Sequence, residues 1–167
     1  MLDPECPEYG AAHNLWTKGK GHLFGAIAIE QASRAYAVEH GIGDADQFVF
    51  SGQFSASLHM LVAFAAEILL KSAFILHGGD PADVRKPDIR HDLIKLLDAA
   101  EGRGFEAPDA QTRAILEYLR EPHLKHQFRY GDMPEVPMPG LVHTIPALQL
   151  LSNKLQDMLE GTLPYGE

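Results

Sequence analysis

The segment from Ser55 to His77 constrains the fold more than any other part of the sequence. Its residues are apolar almost all round a helical projection, which is typical of a central helix that other helices cover on several sides. Polar side chains, including His59, Glu67 and Lys71, interrupt the apolar run, so we predict a buried core helix and not a membrane span. Gly78-Gly79 then predicts the helix end, because glycine readily adopts the left-handed conformation found there.

The rest of the chain also shows helical patterns, and strand signals are almost absent. The other predicted helices, in chain order, are Ala11 to about His40 with a candidate break at Gly19-Lys20-Gly21, a helix that begins after Pro87 with Asp88 or Arg90 near its cap and ends at Gly102 or Gly104, a helix from Pro108-Asp109, and Ile145 to Leu159. A Gly- and Asp-rich connector, Ile42 to Gln53, separates the first two helices. The predicted fold class is therefore all-α, an up-and-down bundle of five to six helices.

A single domain is expected to cover residues 1–167, with a frayed terminus at 1–10 and a Pro-rich loop at 132–140. Glu121-Pro122 interrupts the helix that opens at Pro108-Asp109, because proline lacks an amide donor and disfavours helix at the preceding residue. The chain either kinks there or begins a new helix with Pro122 in its first turn, which would end at Tyr130-Gly131.

Charge and cysteine content exclude several classes of function. A net charge of -9 argues against a broad, sequence-independent grip on nucleic acid, although a small basic site is left open between Arg120 and Arg129. Cys6 is the only cysteine, which excludes an internal disulfide and a cysteine-based zinc cluster. The first ten residues do not resemble a secretory signal, so we expect a cytoplasmic protein that does not contact a membrane.

Glu67 and Lys71 share one face of the central helix with bulky apolar side chains. Glutamate four residues before lysine is the favourable order for a helical ion pair, worth about 0.2 to 0.5 kcal/mol when exposed. One interpretation is a partly buried pair that neutralises itself. The other is that Glu67 orients or charges a site at a bundle or dimer cleft, with Lys71 available to an anion.

Three segments in this order resemble a known family. They are AEILLKSAFILHGGD in the central helix, RHDLIKLLDAAEGRGF after a short connector, and a later FRYG. Together they resemble the HEPN domain (higher eukaryotes and prokaryotes nucleotide-binding), a helical bundle, over about Ser55 to Gly131. Glu67-x3-Lys71 is similar to the E-x3-K motif of that family. His91-Asp92-Leu93 is similar to its Gly-His-Asp-Leu helix start, with Arg90 in place of glycine, and Arg129-Tyr130 precedes a Pro-bearing loop as expected.

The resemblance implies candidate catalytic residues. Family members that are ribonucleases use an R-x4-6-H motif in a site completed by dimerisation, and Arg120-x5-His126 and Arg85-x5-His91 both fit that spacing. The first is better placed, because Pro122 is expected to put a helix start between its two residues. By the resemblance, His126 would act as general base on the ribose 2'-hydroxyl and Arg120 would stabilise charge on the phosphate, without a metal or other cofactor. Glu121-Pro122 departs from the family pattern.

Three hypotheses follow. The first is a metal-independent endoribonuclease of a toxin-antitoxin or defence system, acting as a homodimer and paired with a neutralising partner protein. The second is a non-catalytic HEPN-like module that binds a nucleotide or a protein, which the acidic charge favours. In both, the supporting residues are Glu67, Lys71, His91, Arg129 and Tyr130.

The third hypothesis is an HD-type metal phosphohydrolase, in which His91-Asp92 joins His59 and His123-x2-His126 around a metal. With nine histidines in the chain, such spacings also arise by accident, so we expect no metal. The simpler role for Asp92 is a helix cap. Whether the protein is an enzyme is left open by the sequence.

Overall fold

The computed structural model describes residues 3–129 and 139–161, and six α-helices lie in these ranges. They are α1 (Pro7–Glu39), α2 (Ala45–Ser51), α3 (Ser55–Leu76), α4 (Leu93–Glu101), α5 (Ala110–Leu124) and α6 (Leu141–Glu160), with 3-10 turns at Asp83–Arg85 and Gln127–Arg129. The described residues contain no strand, so the prediction of an all-α bundle is confirmed.

Helix α3 is the centre of the bundle and contacts all five other α-helices. It is long and apolar enough to span a membrane by length and composition, but 72% of its most apolar window is buried by the rest of the protein. This burial explains why α3 is apolar nearly all round. The helix ends as predicted at Gly78, which has a φ of +82° and donates its N–H to the carbonyl of Ile75 at 2.9 Å.

Helix α1 runs without interruption through Gly19-Lys20-Gly21, so the candidate break is wrong. Gly19 is buried where α1 crosses α3. A Cβ atom at Gly19 would lie 2.9 Å from Cγ of Leu69 and 3.2 Å from its backbone nitrogen. Glycine at this position therefore permits the close approach of the two longest helices instead of separating two helices.

The described part of the expected frayed terminus is helical from Pro7 onward. Tyr9 is buried, and its hydroxyl donates a hydrogen bond of 3.1 Å to the carbonyl of Leu159 at the end of α6. The connector between α1 and α3 contains the short helix α2, which the sequence did not predict. Asp44 caps α2 by accepting the N–H of Gln47 at 2.9 Å, and Val49 is buried against the core.

The start of α4 and the course of α5 near its end both differ from the prediction. Helix α4 begins at Leu93 with Asp92 as its cap, later than Asp88 or Arg90. Helix α5 continues through Pro122 to Leu124, so of the two predicted alternatives a new helix that begins at Pro122 is wrong. Proline at this position removes one backbone hydrogen bond, and α5 ends two residues later. The Pro-rich loop lies almost wholly outside the described residues, and α6 starts at Leu141, four residues before its predicted start.

We expect opposite effects from alanine at two glycines of α1. Gly19→Ala is expected to lower the free energy of unfolding by about 1 to 3 kcal/mol, because the methyl group meets Leu69. The matched control is Gly21→Ala, where nothing lies within 4 Å of the new Cβ. It should stabilise the protein by up to about 1 kcal/mol through helix propensity. Urea denaturation of both variants measures the difference, and equal stabilisation by both would contradict the close contact.

Candidate functional site

Glu67 lies in the middle of α3 with only 5% of its side chain exposed. Lys71, one turn further along α3, donates to Oε1 at 2.5 Å. Oε2 is contacted by Nε2 of His123 at 2.6 Å and by Nδ1 of His91 at 3.0 Å. We refer to Glu67, Lys71, His91 and His123 as the Glu67 cluster.

The carboxyl group of Glu67 is ionised in spite of its burial. Burial raises its pKa, but the hydrogen bonds from His123, His91 and Lys71 outweigh burial and lower the pKa from 4.5 to about 2. An ionised carboxylate only accepts hydrogen bonds, so both imidazoles donate an N–H to it. The cluster therefore fixes which ring nitrogen of each histidine carries the proton that faces Glu67.

Three structural elements bring the cluster together. Glu67 and Lys71 are on α3, His91 lies in the turn directly before α4, and His123 lies in the last turn of α5. His123 also packs edge-to-face against Phe64 of α3, with the ring centroids 5.6 Å apart. The relative positions of α3, α4 and α5 therefore determine the geometry of the cluster.

The cluster opens to solvent through His91. Its side chain is 28% exposed, compared with 14% for Lys71 and 6% for His123. Because Nδ1 of His91 is bound to Glu67, Nε2 is the ring nitrogen that can accept a proton. Among the described residues, no hydrogen-bond partner occupies that Nε2.

Asp92, the residue directly after His91, is bound to α5. Its two carboxylate oxygens accept bidentate hydrogen bonds of 2.8 and 2.7 Å from Nε and Nη2 of Arg120, and it also caps α4. Burial raises the pKa of Asp92, but Arg120 and the N–H groups of Lys95 and Ile94 outweigh it and lower the pKa below 3.8. The Arg120 side chain is 44% exposed, so its guanidinium group is still accessible to an anion from the solvent.

His126 follows α5 and lies beside His91. The two ring centroids are 5.6 Å apart, with an interplanar angle of 80°. His126 has a φ of 56° and is the only non-glycine residue with positive φ in the described ranges. Such a conformation costs about 1 to 3 kcal/mol and persists only where the surroundings determine it. The strained backbone holds a second imidazole at the exposed side of the cluster.

The structure thus brings together most of the residues that the sequence predicted. Glu67, Lys71 and His91 are in direct contact, His126 meets His91, and Arg120 joins them through Asp92. Arg85, the other arginine with suitable spacing, is exposed in its 3-10 turn. The side chain of Arg129 and the whole of Tyr130 lie outside the described residues.

His123 is the member of the cluster that sequence reasoning missed as a partner of Glu67. A signal was present, because His123 extends the buried stripe of Leu116 and Leu119 along α5 at helical spacing. Asp92 was predicted as a cap but not as the partner of Arg120. That pairing depends on how α4 and α5 pack, which their separate sequences do not specify.

One ligand atom from each of Glu67, His91 and His123 lies within 4.8 Å of the others, so these residues could hold a metal ion. Two other donors proposed for an HD-type site, His59 and Asp92, have different partners. A ring nitrogen of His59 contacts the carbonyl of Phe50 at 2.9 Å, and Asp92 is engaged by Arg120. The donor set around His91 is therefore two imidazoles and one glutamate.

The chain matches no protein-family model, no curated protein and no solved structure. Its function must therefore be argued from the Glu67 cluster and the residues beside it.

Glu67→Gln is expected to destabilise the protein in a pH-dependent way. The pKa of Glu67 is about 2 in the folded protein and 4.5 without its partners, which corresponds to about 3 kcal/mol of stability. Because the folded-state pKa is the lower one, this stability is fully present above about pH 5. It is lost as the pH falls from about 4.5 towards about 2.

Urea denaturation of wild type and Glu67→Gln at pH 7, 5 and 3 should therefore show a gap that narrows with acid. Glu121→Gln is the control, because Glu121 is exposed and pairs with Lys125 at the protein surface, and it should leave the stability close to that of wild type at all three pH values. A gap between wild type and Glu67→Gln that is constant from pH 7 to pH 3 would show that the charge of Glu67 is not the cause.

Proposed function

We propose that this protein is a HEPN-like endoribonuclease that cleaves RNA by metal-independent acid–base chemistry at the exposed side of the Glu67 cluster. One observation carries the proposal. A buried, ionised carboxylate holds Nδ1 of His91, and the ring of His126 lies 5.6 Å from that of His91. Two neighbouring imidazoles can supply both a general base and a general acid.

His91 is the better candidate for the base. Its contact with Glu67 follows the logic of a carboxylate–histidine pair, in which the carboxylate selects the tautomer and stabilises the imidazolium that forms. Nε2 of His91 would remove the proton from the ribose 2'-hydroxyl. The family resemblance gave the role of base to His126, and the contact between His91 and Glu67 is the reason to revise it.

His126 then serves as the acid. The 2'-oxygen attacks the phosphorus, the bond from phosphorus to the 5'-oxygen breaks, and His126 protonates the leaving 5'-oxygen. The products are a 2',3'-cyclic phosphate and a 5'-hydroxyl end. Arg120, half-exposed and held by Asp92, would stabilise the negative charge that develops on the phosphate.

The resemblance also supplies the wider setting of the proposal. Ribonucleases of this kind act as homodimers in toxin-antitoxin or defence systems, so we include a homodimer, a neutralising partner protein and a cytoplasmic location. An RNA site in a chain of net charge -9 must be local. Lys125, Arg129 and Arg120 are the cations nearest in sequence to His126.

A second candidate function is a non-catalytic HEPN-like module that binds a nucleotide or a protein. The bidentate contact between Asp92 and Arg120 favours it, because the charge of the arginine is already paired. In this case the Glu67 cluster would serve only to hold α3, α4 and α5 together. Binding of RNA without cleavage would identify this function.

The deciding experiment is cleavage of a single-stranded RNA of mixed sequence in the presence of EDTA. We expect wild type to produce 2',3'-cyclic phosphate ends. His91→Ala and His126→Ala should each lower the rate by about 100-fold or more, since each removes one proton-transfer group. The control is His143→Ala, because His143 is exposed on α6, a helix that supplies no member of the cluster. Equal rates in all four proteins, or no cleavage by wild type, would reject the ribonuclease.

Arginine substitutions separate charge stabilisation at the site from surface charge in general. Arg120→Ala should lower the cleavage rate by about 100-fold, because it removes the cation beside the two imidazoles. Arg113→Ala is the matched control, since Arg113 is also a partly exposed arginine paired with carboxylates, those of Asp98 and Glu101. Single-turnover rates at saturating protein compare the two variants. A similar loss in both would assign the effect to general electrostatic attraction.

A further inference from the structure

We propose that the Glu67 cluster binds a divalent first-row transition ion, with Zn²⁺ as the probe, through Oε2 of Glu67, Nδ1 of His91 and Nε2 of His123. Such binding goes beyond the proposed ribonuclease activity, which needs no metal. The same three side chains would bind the ion in a second state. In that state the ion takes the place of the two histidine protons that now lie between the imidazole nitrogens and the carboxylate.

The geometry is close to that of a metal site. Both imidazole nitrogens already converge on one carboxylate oxygen, at 2.6 and 3.0 Å. Zinc bonds of about 2.0 to 2.2 Å in a tetrahedral site place neighbouring donor atoms roughly 3.3 to 3.5 Å apart. Each nitrogen must therefore move away from Oε2 by less than about 1 Å, and the two nitrogens, which lie within 4.8 Å of each other, must reach the same spacing. His91 lies in a turn and His123 in the last turn of α5, so neither is fixed in the middle of a helix.

The donor chemistry fits the same ion. Two histidines and one glutamate form a recognised three-ligand set for zinc with a fourth position left open. His91 is the most exposed of the three ligands, so it is the side from which an ion or water would reach the site. Each neutral imidazole needs only to move its proton to its other ring nitrogen in order to present a lone pair to the metal.

Lys71 limits the affinity of this site and gives the inference a specific test. Its ammonium group contacts Oε1 of Glu67 at 2.5 Å, so it places a positive charge beside any bound cation. Like charges this close repel each other strongly in a partly buried setting. Removal of this charge should strengthen metal binding, whereas removal of a ligand should weaken it.

Metal binding would also inhibit the proposed activity. With Nδ1 bound to the metal, Nε2 of His91 carries the proton and cannot act as a base. This consequence rests on the proposed function, whereas the binding itself does not.

The experiment is a calorimetric titration of tag-free protein with Zn²⁺, supported by the visible absorption spectrum of the Co²⁺-substituted protein. We expect one equivalent to bind to wild type. His123→Ala and Glu67→Gln should weaken binding by at least 100-fold, and Lys71→Met should tighten it by at least 10-fold. His143→Ala is the control for adventitious binding by an exposed histidine and should bind like wild type.

The Lys71→Met variant keeps the inference open to disproof even if the ligand variants fold poorly, because loss of structure cannot tighten binding. An absence of binding, unchanged binding in folded His123→Ala, or a Lys71→Met protein no tighter than wild type would overturn the site. The titrations contain no RNA. If the protein binds zinc but does not cleave RNA, the metal site stands and the ribonuclease proposal is rejected. If it cleaves RNA but does not bind zinc, the ribonuclease proposal stands and the metal site is rejected.

Discussion

The buried charge of Glu67 is the constraint on which the rest of the structure depends. An ionised carboxylate without partners inside a helical bundle would be strongly destabilising. The helices that cover α3 at Glu67 must therefore supply hydrogen-bond donors to it. Lys71 comes from α3 itself, His91 from the start of α4 and His123 from the end of α5. Apolar packing allows several relative positions of three helices, whereas four converging polar groups allow very few.

Two consecutive residues carry much of this organisation. His91 binds Glu67 of α3, while Asp92 caps α4 and binds Arg120 of α5. On α5, Arg120 and His123 are one turn apart, so both face the start of α4. The His91-Asp92 pair therefore meets the Arg120 and His123 side chains across the contact between the two helices, and it joins the packing of the bundle to the candidate site.

The sequence predicted the parts of this arrangement that local rules control. The all-round apolar character of α3, its end at Gly78 and the Glu67-Lys71 pair all follow from helical periodicity and capping. The same local rules did not predict that α1 continues through Gly19 or that α5 continues through Pro122. Gly19 is required by contact with Leu69, and Pro122 is tolerated because it lies close to the end of α5.

The partners of Glu67 and Arg120 were the hardest to predict, since they are separated by 56 and 28 positions in the chain. His123 is a position at which a polar residue continues a buried stripe, and such a residue needs a buried partner. Lys71 contacts only Oε1 of Glu67, so the buried Oε2 needed hydrogen-bond donors from other helices. The pairing of two buried polar positions from different helices is thus a usable sequence signal, although it identifies the contact without identifying its chemistry.

The chemistry depends on which cations share the carboxylate. The carboxylate of Glu67 is paired with the ammonium group of Lys71, so these two opposite charges balance each other inside the bundle. A proton taken up by His91 in the proposed reaction, or a metal ion bound as proposed between the imidazoles, would add positive charge beside Lys71. The proton adds one charge at the exposed end of the cluster, whereas the metal adds two at its centre. On both proposals, Lys71 would favour proton transfer over metal binding, so the lysine that pairs with Glu67 would also influence which chemistry the cluster supports.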